Sequence, residues 1–96
     1  MASLTFYRRS FLNRRGHHDG AFILADVHPE SYVSNGHPLQ DVCAHLTIAD
    51  CSRVVSLDFD VHTMAEANNA LHKARILRSV INEFVDALER AIADRE

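Results

Sequence analysis

The chain has 96 residues, 47% of them hydrophobic and 24% charged, with a formal net charge of −3. That leaves room for one domain and a small core, since chains of this size bury only about 60–65% of their unfolded surface. No apolar run approaches the roughly 18 residues of a membrane span, and no low-complexity stretch interrupts the composition of an ordinary globular protein.

The charge is unevenly placed. Arg8, Arg9, Arg14 and Arg15 stand against Asp19 alone within residues 1–20, a balance of +3, so residues 21–96 carry −6. The basic segment is therefore where an anionic partner is expected. Residues 1–9 offer no apolar region ahead of a small-residue cleavage site, so a cytoplasmic location is expected. Cys43 and Cys51 are not in C-x-x-C spacing and read as free thiols of a reducing compartment.

In chain order, Leu4 to Leu12 has strand composition, with Thr5, Phe6, Tyr7 and Phe11. Asn13 to Gly20 is a turn region containing Gly16 and Asp19-Gly20. Ala21 to His28 is a second strand, apolar on both faces near Phe22–Leu24. Together they predict an antiparallel hairpin with a basic tip. Pro29 is expected to end the second strand or to place it at an edge. Glu30 to Pro38 reads as loop turning at Asn35-Gly36, with Tyr32 and Val33 as a possible strand extension.

Gln40 to Ala49 and Arg53 to Val61 show clean period-two alternation. Val42, Ala44, Leu46 and Ile48 form one apolar row, and Val55, Leu57, Phe59 and Val61 the other. A tight turn at Asp50-Cys51 pairs Leu46 with Val55, Ala44 with Leu57 and Val42 with Phe59, all on one face. It also sets Cys43 and Cys51 roughly 25 Å apart, too far for a bridge within one chain.

The remainder, Met64 to Asp94, reads as one long amphipathic helix. Thr63 and Glu66 have the T-x-x-E spacing of a capping box, and no Gly or Pro follows. Ala67, Ala70, Ala74, Leu77, Ile81, Phe84, Leu88 and Ala91 repeat at three- and four-residue steps, widened by Leu71, Val80, Val85 and Ile92. The stripe is too broad, and its first core positions too small, for a coiled-coil seam.

These elements predict an α+β fold: two antiparallel β-hairpins forming a four-stranded sheet (residues 1–62), then one long C-terminal helix (residues 63–95) packed on one face. A 31-residue helix spans about 46 Å, whereas eight-residue strands span about 27 Å. The excess helix calls for a second copy of the chain, a homodimer or higher oligomer, with Leu77, Ile81, Phe84, Val85, Leu88 and Ile92 at the interface. The competing expectation is a monomer whose helix breaks near Ser79 or curls over the sheet edge.

Three constellations bear on chemistry. On the polar face of the second hairpin, the expected register sets Cys43 opposite Asp58 and Asp41 opposite Asp60, with His45 and His62 nearby. Opposed carboxylates repel, and a divalent metal held by Cys43, His45, Asp58 and Asp60 would relieve them. No metal-ligand spacing motif supports this, and a solvated polar face is the plainer account. Seven histidines, with His17-His18 adjacent at the first hairpin tip, offer pH sensitivity, set against ordinary surface histidines. Arg8, Arg14, Arg15, His17 and His18 form a candidate anion- or partner-binding group. With Phe6, Tyr7 and Phe11 beside it, nucleic acid is an alternative partner, weakened by the chain's negative charge. Catalytic motifs are missing: there is no phosphate-binding glycine loop, no G-x-S-x-G, and no third group to orient Cys43 and His45. The sequence reading is thus a small non-enzymatic accessory protein, of the kind found in bacteria or bacteriophages. It self-associates through the helix and meets an unidentified anionic protein partner through the basic hairpin, with no resident cofactor.

Overall fold

A computed structural model describes residues 5–17 and 20–95. The chain forms four strands and a helix, β1 (Phe6–Phe11), β2 (Phe22–Ser34), β3 (His37–Asp50), β4 (Arg53–Asp58) and α1 (Met64–Asp94). The strands make one antiparallel sheet in the order β1-β2-β3-β4, each beside its neighbour in sequence. The predicted ββββα fold is what the chain adopts. Leu4, the expected first residue of β1, lies outside the described residues.

β2 and β3 are longer than the sequence reading allowed. Pro29 does not stop β2, which runs on through Ser34, and residues 30–38 are strand and turn, not loop. The reason lies in its partners. Pro29 pairs with Val42, and Val42 exchanges both of its backbone hydrogen bonds with Val61 on the other side, at 3.0 and 2.8 Å. Val42 therefore asks Pro29 for no N–H. β1 begins at the Phe6–Val27 pair, and among the described residues none pairs with Pro29 from that side. The two long strands turn through Asn35 (φ 52°) and Gly36 (φ 78°), the two positive φ values of a type I′ hairpin.

The β3–β4 turn also differs. Asp50 pairs with Arg53, so Cys51 and Ser52 form the turn, with Cys51 in the left-handed region at φ 56°. This shifts the register by two residues from the expected one: Leu46 meets Leu57, and Ile48 meets Val55. A shift of two preserves which side chains share a face. Val42, Ala44, Leu46 and Ile48 still line the face shared with Ala25, Val27, Leu57 and Phe59. β4 is expected to reach Val61 but closes at Asp58, after which the Phe59 N–H still donates to the Ala44 carbonyl at 2.8 Å and Val61 bridges Val42.

α1 matches its predicted bounds. The Glu66 N–H donates to Thr63 Oγ1 at 3.1 Å, and the Thr63 N–H donates to Glu66 Oε1 at 3.0 Å, which completes the capping box. The acidic side chain also sits at the positive end of the helix dipole. The helix begins where Val61 bridges Val42, halfway along β3, and runs away from the β2–β3 arm. Lys73 donates from Nζ to the Asp58 carbonyl at 2.8 Å, with its ammonium 4.7 Å from the Phe59 ring centroid. Ala67, Ala70, Lys73 and Leu77 are half-buried, whereas every described residue after Leu77 is exposed.

The molecule is 65 Å long, more than β3 or α1, each of which spans about 46 Å. Sheet and helix are therefore staggered: the β2–β3 arm extends one way and the distal helix the other. The overhang expected from short strands arises instead from this offset. Little is buried anywhere. Among the described residues the only buried hydrophobic ones are Ala21, Ala44 and Ala49, and α1 contributes none.

Candidate functional site

Three regions carry the features that the sequence singled out. The first lies where the chain leaves β4. Asp58 Oδ1 accepts the Asp60 N–H at 2.8 Å, and Asp60 Oδ1 accepts the Ala44 N–H at 2.8 Å in place of a ladder carbonyl. This local replacement ends β4 and turns Asp60 toward His45. His45 Nε2 is then 3.5 Å from Asp60 Oδ1 and 4.0 Å from Asp58 Oδ1, and His45 Nδ1 is 3.5 Å from Asp26 Oδ1. One imidazole faces three carboxylates. The ligand atoms of His45, Asp58 and Asp60 lie within 4.8 Å of one another. The backbone hydrogen bond from Asp60 holds the Asp58 carboxyl below the usual carboxylate range.

The sequence named three of these residues; Asp26 joins them through the β2–β3 pairing, for which the sequence reading sets no register. In the observed register His45 opposes Asp58 and Asp26 opposes His45. Cys43 does not join them. Its thiol donates to Glu30 Oε2 at 2.7 Å, and that hydrogen bond, with the nearby negative charge, pushes the thiol up to about 11. A zinc ligand or nucleophile must be a thiolate, and Cys43 is held protonated instead. Asp41, the only buried polar residue among those described, accepts from His62 Nδ1 at 2.6 Å. The Asp41 carboxylate raises the His62 pKa above its ordinary value. Since the His62 N–H also donates to Glu66 Oε1, at 3.0 Å, the contact ties β3 to the start of α1.

The second region is the basic hairpin. Arg8 pairs with Ala25 and Arg9 with Leu24, so they stand on opposite faces, as the alternation required. Arg9 stacks over Phe22 at 4.9 Å and Phe11 at 5.6 Å on the face away from the helix. Arg14, Arg15 and His17 are exposed in the loop, with the His17 N–H donating to the Arg14 carbonyl at 2.9 Å. His18 lies outside the described residues. Arg8 is thus a mid-strand residue on the helix-facing side, apart from the loop cluster of Arg14, Arg15 and His17.

The third region is apolar. The predicted interface residues Leu77, Ile81, Phe84, Val85, Leu88 and Ile92 continue one stripe of α1. All but Leu77 are exposed, Phe84 by 62%. Between the helix and the sheet opens a cleft of about 550 Å³, lined by Ala25, Val27, Ala44, Leu46, Leu77 and Ile81 among others. This cleft is not legible in the residue pattern, because an amphipathic pattern names the faces that seek burial but not how closely they meet. No helix among the described residues is long and apolar enough to cross a membrane.

The chain matches no protein-family model, no curated protein and no solved structure.

Proposed function

We propose that the protein works as a homo-oligomeric binding module. The distal half of α1 makes the contact between copies, and the β1–β2 loop, with Arg14, Arg15 and His17, presents positive charge to an anionic protein partner. One observation carries the reading: the described residues bury only three hydrophobic side chains, all alanines. A large aliphatic side chain carries on the order of 100 Å² of apolar surface. The exposed stripe of α1 alone therefore presents several hundred Å², which a stable monomer rarely leaves contiguous in water. Burying each half-exposed residue contributes about 1 kcal/mol.

Light scattering at micromolar concentration tests this, with a particle of twice the chain mass or more expected. The double substitution Phe84→Arg/Leu88→Arg should return it to monomer mass. A wild-type monomer would remove the proposal. For the loop, Arg14→Glu/Arg15→Glu should abolish binding to an acidic partner while leaving the oligomer intact. Binding of duplex or single strands at about 50 mM salt would transfer the loop to nucleic acid, since phosphate contacts strengthen as salt falls.

A second reading, divalent-metal binding, is supported by the convergence of His45, Asp58 and Asp60. One imidazole and two carboxylates suit zinc or manganese. Metal-binding protein should melt higher in zinc or manganese, and Asp60→Asn should remove that increment. Identical melting with and without metal would eliminate this reading.

A further inference from the structure

Four strands about 4.8 Å apart make a face roughly 15–19 Å wide, whereas a helix with its side chains is about 10 Å wide. One helix covers about half of such a sheet. α1 lies on the β4 side: Lys73 reaches Asp58 and Phe59 there, and Leu57 lies beside Ile76 and Leu77. The half toward β1 and β2 is left to the cleft. Its floor includes Ala25, Val27, Ala44 and Leu46, and its wall includes Leu77 and Ile81. The alanines at 25 and 44 keep the floor low enough for a second helix to approach. We infer that this cleft receives the distal half of α1 from a second copy of the chain, while the first copy's distal half enters the cleft of the second. The inference rests on the self-association proposed above and adds where the two copies meet.

Three observations carry it. The first is continuity: Ile81, Phe84 and Leu88 extend the same helical stripe whose earlier residues, Ala70 and Leu77, already pack toward this sheet face. The occupant is therefore matched in character to the face it would cover. The second is charge. Residues 82–95 hold Glu83, Asp86, Glu89 and Asp94 against Arg90 and Arg95, a balance of −2. Arg78 lines the cleft, the carboxylate of the other charged lining residue, Asp26, lies against His45 on the opposite sheet face, and Arg8 stands on the cleft's face beside Ala25. The third is area. A two-fold axis forms the contact twice, so several hundred Å² per stripe, with the cleft it meets, approaches the roughly 1,600 Å² of a standard interface. Contact between the distal halves alone would leave the cleft open, and a small apolar molecule in the cleft would leave the distal helix bare.

Cross-linking between separately substituted chains tests the arrangement. In a Cys43→Ser/Cys51→Ser background, chains carrying Ala25→Cys are mixed with chains carrying Leu88→Cys and oxidised. A disulfide-linked dimer joining the two kinds of chain is the expected product. If light scattering reports a dimer but Leu88→Cys links only to itself, the distal halves meet each other; the inference fails while self-association stands. A wild-type monomer removes both. As a measurement free of cysteine, Ala25→Trp should fill the cleft floor and weaken dimerisation at least tenfold, with circular dichroism confirming the sheet. A folded Ala25→Trp chain with unchanged dimer affinity would overturn the inference.

Discussion

At the residue scale, the carboxylates of this protein set the behaviour of their neighbours. Glu30 holds the Cys43 thiol up at about 11, whereas an ordinary cysteine ionises near 8.5. In a Cys51→Ser chain, Cys43 should react with iodoacetamide at pH 8 far more slowly than a free thiol, by roughly a hundredfold for a shift of this size. Glu30→Gln should recover most of that rate. Asp41 acts on His62 in the same sense as Glu30 on Cys43, favouring the protonated form. The His62 pKa is raised, so the protonated form favours the folded chain. Its contribution is complete below about pH 6.5, the unfolded value, and is lost as pH rises through the higher folded value. Urea midpoints should fall across that window, and His62→Gln should flatten this part of the profile. Thr63→Ala should cost about 1 kcal/mol in the same experiment by removing an N-cap, with Thr63→Ser close to neutral.

At the element scale, α1 and β2 show what can be read from a chain and what cannot. The bounds of α1 were legible because its evidence is local: a capping box at Thr63 and Glu66, then an unbroken stripe. The fate of Pro29 was not. Whether a strand tolerates proline depends on whether its neighbour needs the missing N–H, and Val42 had already spent its bonds on Val61. The β3–β4 register failed for a similar reason. A cysteine at positive φ is an uncommon turn residue, so the turn was placed one residue early. Parity survived that error, which is why the polar and apolar faces were read correctly. Cross-strand neighbours did not survive it, which is why Cys43 was expected where His45 stands. A helix draws most of its stability from packing, and nothing among the described residues covers the segment beyond Ile81. Phe84→Arg/Leu88→Arg should lower helical ellipticity by an amount matching the distal turns, while the strand signal persists. Full helicity in the monomeric variant would show that the distal half needs no partner.

At the scale of the whole molecule, an exposed helical overhang and an apolar cleft of matching character occur on one chain with almost no buried core. Each is a deficit in the monomer, and a two-fold pair would resolve both together. The nearest-neighbour strand order adds a consequence in time. Every strand pairs with the one before it, so the sheet can close through short loops, without waiting for distant segments to meet. The hairpin at Asn35-Gly36 can form on the microsecond scale. The proposed union of two copies would be bimolecular and would wait for collision. Refolding from denaturant should therefore separate into a fast phase whose rate ignores protein concentration and a later phase whose rate rises with it. The first would report the sheet, and the second the moment at which the distal helix finds cover.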